Sequence, residues 1–315
     1  MGETSALLID ANHLLHRVLY TPNLVRLETS TGRKFGGVYG FVSCLKRALD
    51  SGLITKCVAA WDGAHSARRV EILPTYKHHD EPRVEGLDPE KDEHMRLFQF
   101  SRTYLMMLLP LLGVSSIRLP AREGDDVIFW ARQVLFASGC SICGILSEDK
   151  DFYQLVEPRT YLHRPISKLT VTMDNFTETV GVPLDRYLLF RAIDGDKSDN
   201  ITGVPNAGPK TAATIAIGVE SLDWDAIRLW CLGQKDWRIK KVGANLSIVK
   251  RNFDLMCLGK ETFTEEELAA VQEAVIGKPE SSIDEAQSMI AQMEFESILQ
   301  NYTMWTVPFI RLGAR

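Results

Sequence analysis

Three short runs, Ala6 to Ile9, Cys57 to Trp61 and Ser141 to Leu146, are apolar without alternating with polar residues, and each is followed within two residues by a carboxylate. A short apolar run with no period of two fits a strand covered on both faces, the parallel strand of an α/β sheet. In open sheets of that kind, sites form beyond the carboxyl ends of the strands. The acids fall there: Asp10 after the first run, Asp62 after the second, Asp149 and Asp151 after the third. Singly, each has a plain explanation, since Asp10 could cap a helix and an Asp-x-Asp loop is commonly just hydrated. Their recurrence favours a shared task.

Between the strands the spacing predicts helices over Asn12 to Tyr20, Val38 to Leu49, His94 to Leu112 and Val127 to Ala137, with a loop or hairpin over Leu24 to Gly37. Gly113 to Pro120 reads as a further strand, and Arg159 to Thr172 as a hairpin or edge pair. Met173 to Thr179 and Val182 to Ile193 read as helices. Glu123, Asp125 and Asp126 crowd the head of a helix, where one acid suits the dipole and three repel unless a cation intervenes. Ser66 to Arg83 interleaves Arg68, Arg69, Lys77, His78, His79 and Arg83 with Tyr76. It is either a solvated loop or a basic arm with an aromatic that can stack on a base. The adjacent His78 and His79 lack a ligand spacing.

Gly195 to Ala216 joins acids to a phosphate grip. Asp196 and Asp199 precede a glycine hairpin, Gly203 and Gly208, which opens a helix at Pro209, a favoured first helical residue. Such a turn points backbone N–H groups and Lys210 outward, toward a nucleic-acid phosphate, without reading any base. Farther on, Arg228, Lys235, Arg238, Lys240, Lys241, Lys250 and Arg251 make a basic segment, a second phosphate track or a solvated face, and core packing is the default for Trp224, Trp230 and Trp237. Glu261 onward is acidic and helical, and Ser297 to Arg315 is apolar enough to dock back on the body.

Asp10, Asp62, Glu123, Asp125, Asp126, Asp149, Asp151, Asp196 and Asp199 offer oxygen donors without histidine or cysteine. That set suits Mg²⁺ or Mn²⁺ and is too acidic for one ion. Two such ions about 4 Å apart activate water and stabilise a leaving oxygen in phosphodiester hydrolysis. Net charge bears on the partner: setting the nine carboxylates aside from the formal −5 leaves about +4 for the rest, which a nucleic acid tolerates. The six cysteines are scattered, as reduced thiols are, and Cys140 with Cys143 lacks the second pair a zinc site needs. The N-terminus lacks the features of a signal peptide and no stretch is long enough for a membrane span, so a cytoplasmic protein of a bacterial or phage-infected cell is expected.

In order, Ile-Asp10-Ala-Asn, Trp-Asp62-Gly63, Arg69 through Pro-Thr-Tyr76-Lys77, Glu123-Gly-Asp125-Asp126, Ser147-Glu-Asp149-Lys-Asp151 and the Gly195 to Ala216 stretch resemble the flap endonuclease and 5′-3′ exonuclease family, closest to its standalone bacteriophage and bacterial members. The resemblance covers about residues 6 to 217. It implies a PIN-like α/β nuclease domain over 1–180, with a mostly parallel sheet flanked by helices and a helical arch near 66–112. A helical region over 181–315 would hold a helix-three-turn-helix near 186–220. By the same resemblance, Asp10, Asp62, Glu123 and Asp125 serve a first metal, and Asp126, Asp149, Asp151 and Asp196 a second, with Asp199 a ligand or just behind. Lys77 and Arg17 contact the scissile phosphate, Tyr76 stacks on a base, Arg69 lies at the arch base, and Gly203 to Lys210 grips duplex backbone, often with K⁺. The family's basic residue three after the arch lysine is Asp80 here, followed by Arg83.

The expected activity is a structure-specific 5′ nuclease, flap endonuclease and 5′-3′ exonuclease, acting by two metal ions on 5′ flaps or ends of branched DNA and on RNA primers in replication or repair. A monomer is expected, beside a replication polymerase or a single-strand-binding protein. The alternatives are a PIN-like endoribonuclease and a non-catalytic DNA-junction binder.

Overall fold

The three apolar runs lie side by side in one sheet, and their hydrogen-bond register explains why their tips meet. The computed structural model describes residues 4–50, 54–78 and 88–313; His79, Asp80, Arg83 and the start of the acidic link at Gly86 lie outside them. Strand β1 (Ser5–Asp10) is followed by α1 (Ala11–Leu19), α2 (Pro22–Val25) and α3 (Gly36–Asp50), then β2 (Lys56–Trp61), α4 (Ala67–Ile72), α5 (Pro89–Leu111) and β3 (Ser115–Arg118). Next come α6 (Gly124–Ala137), β4 (Ile142–Leu146), a 3₁₀ turn (Asp151–Leu155), β5 (Thr160–Arg164), β6 (Leu169–Val171) and α7 (Phe176–Val180).

The sheet runs β3-β2-β1-β4-β5-β6, parallel except for β6, which forms the expected hairpin with β5. The chain winds outward from β1 to β3, then crosses back to place β4 on the other side of β1. That reversal opens a crevice between the carboxyl ends of β1 and β4, where ligands of open α/β sheets bind. Alternate residues of β1 feed different cores: Leu7 and Ile9 pack with α1, α3 and α5, while Ala6 and Leu8 pack toward α6. A strand buried on both faces cannot alternate apolar with polar, which is the pattern in the sequence.

A second layer follows in α8 (Tyr187–Asp194), the short hairpin β7 (Gly195–Asp196) and β8 (Ile201–Thr202), and α9 (Pro209–Gly218), α10 (Trp224–Gly233), α11 (Trp237–Ala244) and α12 (Leu246–Met256). These helices share their own core, which includes Ile193, Val204, Ala212, Ile227 and Val249. The remaining helices return to the sheet. Val271 and Val275 of α13 (Glu265–Ile276) join the α6 side. Residues of α14 (Ile283–Gln292), α15 (Glu296–Leu299) and α16 (Tyr302–Arg311) join the other, where Trp305 and Phe309 dock against α3.

Helix α5 begins at Pro89 rather than His94, because Asp88 caps it by accepting the Lys91 N–H and proline suits the first turn. Trp237, expected in the core, is 55 % exposed with Arg238 over its ring, since only Ile239, Val242 and Gly243 of α11 face inward. All six thiols are free. Among the described residues no helix is long and apolar enough to cross a membrane.

Candidate metal centre

Asp10 ends β1 and caps α1. Its Oδ1 accepts the His13 N–H at 3.1 Å and its Oδ2 accepts the Ser147 hydroxyl at 2.7 Å. Ser147, fully buried at the tip of β4, also accepts the Asp149 N–H at 2.9 Å, so one hydroxyl ties the two strand ends together. Asp149 in turn accepts the Asp151 N–H. From β2, Asp62 is held by the Gly124 N–H at 2.6 Å, which brings the head of α6, and Asp125 with it, to the same crevice.

Asp196 and Asp199 arrive on the β7–β8 hairpin, whose shape depends on two glycines. Gly195 has φ +84°, and a Cβ there would lie 2.3 Å from the Gly203 nitrogen; a Cβ on Gly203 would lie 2.1 Å from the Asp194 oxygen. Side chains at either position would force the backbones apart. Within the hairpin, Asp196 accepts the Ser198 N–H.

Electrostatics resolves the acids into two overlapping groups. Burial, with repulsion from Asp62 and Asp149, pushes Asp10 up to about 6 despite the opposing pull of His13. Burial and the charges of Asp10 and Asp149 raise Asp125 well above the usual range. Burial first, then Asp149, pushes Asp151 up to about 7, and burial, Asp196 and Asp149 push Asp199 up to about 6 against the pull of Lys77. Asp149 therefore belongs to both groups. Carboxylates that hinder one another's ionisation in a crevice need a cation to ionise together, and an all-oxygen majority fits hard divalent ions. In the second group Arg191 already bridges Asp151 (3.0 Å) and Asp196, and Asp196 lies below its ordinary range because Ser198 and Arg191 outweigh its burial.

Two expected ligands, Asp126 and Glu123, are also engaged by cationic side chains. Asp126 is 1 % exposed and both its oxygens accept from Arg69, at 2.7 and 2.9 Å. Glu123 accepts from the Ser66 N–H, Tyr76 hydroxyl, Lys77 ammonium and Arg69 guanidinium at 2.8 to 3.1 Å. Lys77 and Arg69 outweigh burial and hold Glu123 below its usual range. These two acids brace the base of the basic arm, α4, against α6. Arg69 is itself 2 % exposed and also donates to the Leu255 carbonyl, so it is an internal clamp rather than a surface contact. Tyr76, expected to stack on a base, has its ring 2 % exposed in a small apolar cluster with Ile201, Leu255 and Met256.

Lys77 ends this brace at the border of the acid cluster. It has φ +52°, its N–H donates to the Asp199 carbonyl, and the Asn200 amide donates to the carbonyls of Thr75 and His78. The arm and the β7–β8 hairpin are thereby stitched together, with a non-glycine residue in the left-handed region on each side, Lys77 and Asn200. Arg17 stands exposed on the outer face of α1. Gly208 precedes α9 with no atom within 4 Å of where its Cβ would lie, and Lys210 is exposed in the first turn.

His13 was absent from the expected donor set. Its ligand atom and those of Asp10 and Asp149 all lie within 4.8 Å of one another. The signal available in the sequence was its place three residues after Asp10, the spacing that returns a side chain to the cap of its own helix.

Residues 5–181 match the family model described as 5′-3′ exonuclease, N-terminal resolvase-like domain. The 5′-3′ exonuclease of Aquifex aeolicus is 28 % identical over 79 % of this chain and 82 % of its own length. The thermostable DNA polymerase I of Thermus filiformis is 28 % identical over 94 % of this chain and 33 % of its own, so the chain spans about a third of the polymerases it matches. Among solved structures, the bacteriophage T5 D15 protein co-crystallised with metal ions superposes with a TM-score of 0.66 at 17 % identity, covering 98 % of this chain and 99 % of that one. The T5 D15 flap endonuclease in a pseudo-enzyme-product complex with DNA and metal ions gives 0.65 at 16 %, with the same coverage. These likenesses establish the fold. The family match extends over more than half of the chain and contains β1 to β6 with the acids at their tips, and so this protein belongs to the 5′-3′ exonuclease family, with an N-terminal resolvase-like domain.

Proposed function

We propose that this protein is a metal-dependent 5′ nuclease, a flap endonuclease and 5′-3′ exonuclease that hydrolyses phosphodiester bonds of branched or nicked duplex DNA, RNA primers included. The observation that carries this reading is the pair of overlapping acid groups sharing Asp149 at the β1/β4 crevice, beside a lysine held in place by the arm. Asp10, Asp62, Asp125 and Asp149 are the donors for one Mg²⁺ or Mn²⁺, and Asp149, Asp151, Asp196 and Asp199 for a second. Divalent ions bound there supply charge for an oxyanionic phosphate and for the water that attacks it.

The chain's own groups do the rest. Asp199 and Glu123 outweigh burial and keep the Lys77 ammonium charged, so a phosphate entering the crevice meets a fixed cation. Exposed Arg17 and the open N-terminus of α9 with Lys210 hold backbone phosphates farther away, and Gly203 to Lys210 is the place for a K⁺ ion in this reading. Glu123 and Asp126 at the head of α6, with Arg69 and Tyr76 of the arm, keep Lys77 in register. A replication polymerase or single-strand-binding protein as partner rests on the resemblance.

The test is cleavage of a strand-labelled 5′-flap duplex in Mg²⁺, beside a 3′-flap, single-stranded DNA and RNA, and an EDTA control. The expected result is cutting near the 5′-flap junction that EDTA abolishes. Cutting of single-stranded RNA alone would make the protein an endoribonuclease, and binding of the flap without cutting would make it a junction binder.

A further inference from the structure

We propose that His13 is an imidazole ligand of the cation held by Asp10 and Asp149, which makes that position a mixed nitrogen–oxygen site selective for transition-metal ions such as Mn²⁺ over Mg²⁺. The inference rests on the reading of this crevice as a metal centre and adds the ion's identity to it.

Three observations carry it. The donor atoms of Asp10, His13 and Asp149 fit within 4.8 Å, the span of donors around one ion. Nδ1 of His13 lies 3.8 Å from Oδ2 of Asp149, too far for a hydrogen bond but close enough for both donors to reach one ion at about 2.1 Å. And Nε2 is buried without a hydrogen-bond partner among the described residues, so no such bond holds the imidazole to another task. The backbone supports the placement: the His13 N–H donates to Oδ1 of Asp10, which fixes the first turn of α1 and keeps the imidazole over the strand tip. The four donors Asp10, Asp62, Asp125 and Asp149 make a position that suits Mg²⁺; one nitrogen donor tilts it away from Mg²⁺, which prefers oxygen, toward ions that accept imidazole. A structural reading of His13 as a simple counter-ion of Asp149 needs no ion and predicts no bonded nitrogen.

The experiment is Mn²⁺ titration of the whole protein at pH 7.5, followed by calorimetry and by pulsed electron paramagnetic resonance, with His13→Asn compared after circular dichroism confirms an unchanged fold. The expected result is a hyperfine coupling from one directly bonded ¹⁴N that disappears in His13→Asn. The variant should lose about tenfold or more in Mn²⁺ affinity, the scale seen when even an outer partner of a ligand is lost. Its Mg²⁺ affinity should change by less than about threefold. Mn²⁺ bound with no ¹⁴N coupling would overturn the assignment of His13 and leave the centre standing. Failure of Mn²⁺ to bind at all would overturn the centre and this inference together.

Discussion

Arg191 puts a guanidinium into the second acid group, and replacing it tests how that group works. Its Nη2 bridges Asp151 and Asp196 with side chains only 12 to 17 % exposed, while its Nε is buried without a partner among the described residues. Arg191→Gln removes a positive charge and leaves two neighbouring carboxylates uncompensated. Breaking a buried pair costs about 3–5 kcal/mol, so for this partly solvated one a loss of about 2–3 kcal/mol is expected without metal. The same charge repels any divalent ion bound to Asp151 and Asp196. At an effective dielectric near 20, two unit charges 4 Å apart interact by about 4 kcal/mol, and solvent at the crevice mouth reduces this to about 2–3 kcal/mol against a divalent ion. Removing it should tighten the weaker Mn²⁺ step about 30- to 150-fold. Urea unfolding of the metal-free protein and calorimetric Mn²⁺ titration read the two quantities. If the variant is destabilised yet binds Mn²⁺ no more tightly, or more weakly, Arg191 orients the carboxylates and the competition argument fails.

Other expectations follow from the same geometry. Arg69→Ala should destabilise the protein by about 3–5 kcal/mol in urea, because Asp126 is left buried and unpaired, while the number of Mn²⁺ ions bound stays unchanged; a loss below 1 kcal/mol would show that water readily replaces the clamp. Gly195→Ala should abolish the weaker metal-binding step through displacement of Asp196 and Asp199 and leave the tighter one, and wild-type titration of this variant would show that the hairpin can yield. Lys77→Ala should lower flap turnover far more than duplex affinity, and equal losses in both would make Lys77 a binding residue only. For pH, Asp151 at about 7 and Asp10 and Asp199 at about 6 lie above their unfolded values, so the folded state holds extra protons in this range and metal-free stability falls as pH rises. His16, depressed to about 4 by burial, acts with the opposite sign only below its unfolded value. Between pH 6.5 and 8 the metal-free protein should therefore lose on the order of 1 kcal/mol, and saturating Mg²⁺ should reverse it; a rise in melting temperature over that range without metal would contradict the assignment.

The acid-tipped strands were legible because burial on both faces imposes an unmistakable composition. The glycine hairpin was expected at Gly203 and Gly208, whereas the two backbones nearly touch at Gly195 and Gly203 and Gly208 stands open. The division of labour among the acids was not. Asp125 and Asp126 are adjacent on one helix, yet one faces the crevice and the other faces Arg69. Tyr76 read as part of a solvated loop or as a stacking aromatic on a basic arm, and only the neighbours Ile201, Leu255 and Met256 reveal that it is packed.

By itself, the sequence determined which segments are buried parallel strands, where their carboxyl ends fall, and that an excess of carboxylate gathers there, since these follow from local hydrophobicity and spacing. Tertiary structure decided which carboxylate meets which cation. Arg69 and Asp126 are 57 residues apart, and their pairing exists only because the fold brings Arg69 of α4 to the head of α6. His13 enters the cluster only because strand order places β4 beside β1. Charge interactions at a few ångströms are set by such packing, and every aspartate in a sequence carries the same charge until the fold gives it neighbours.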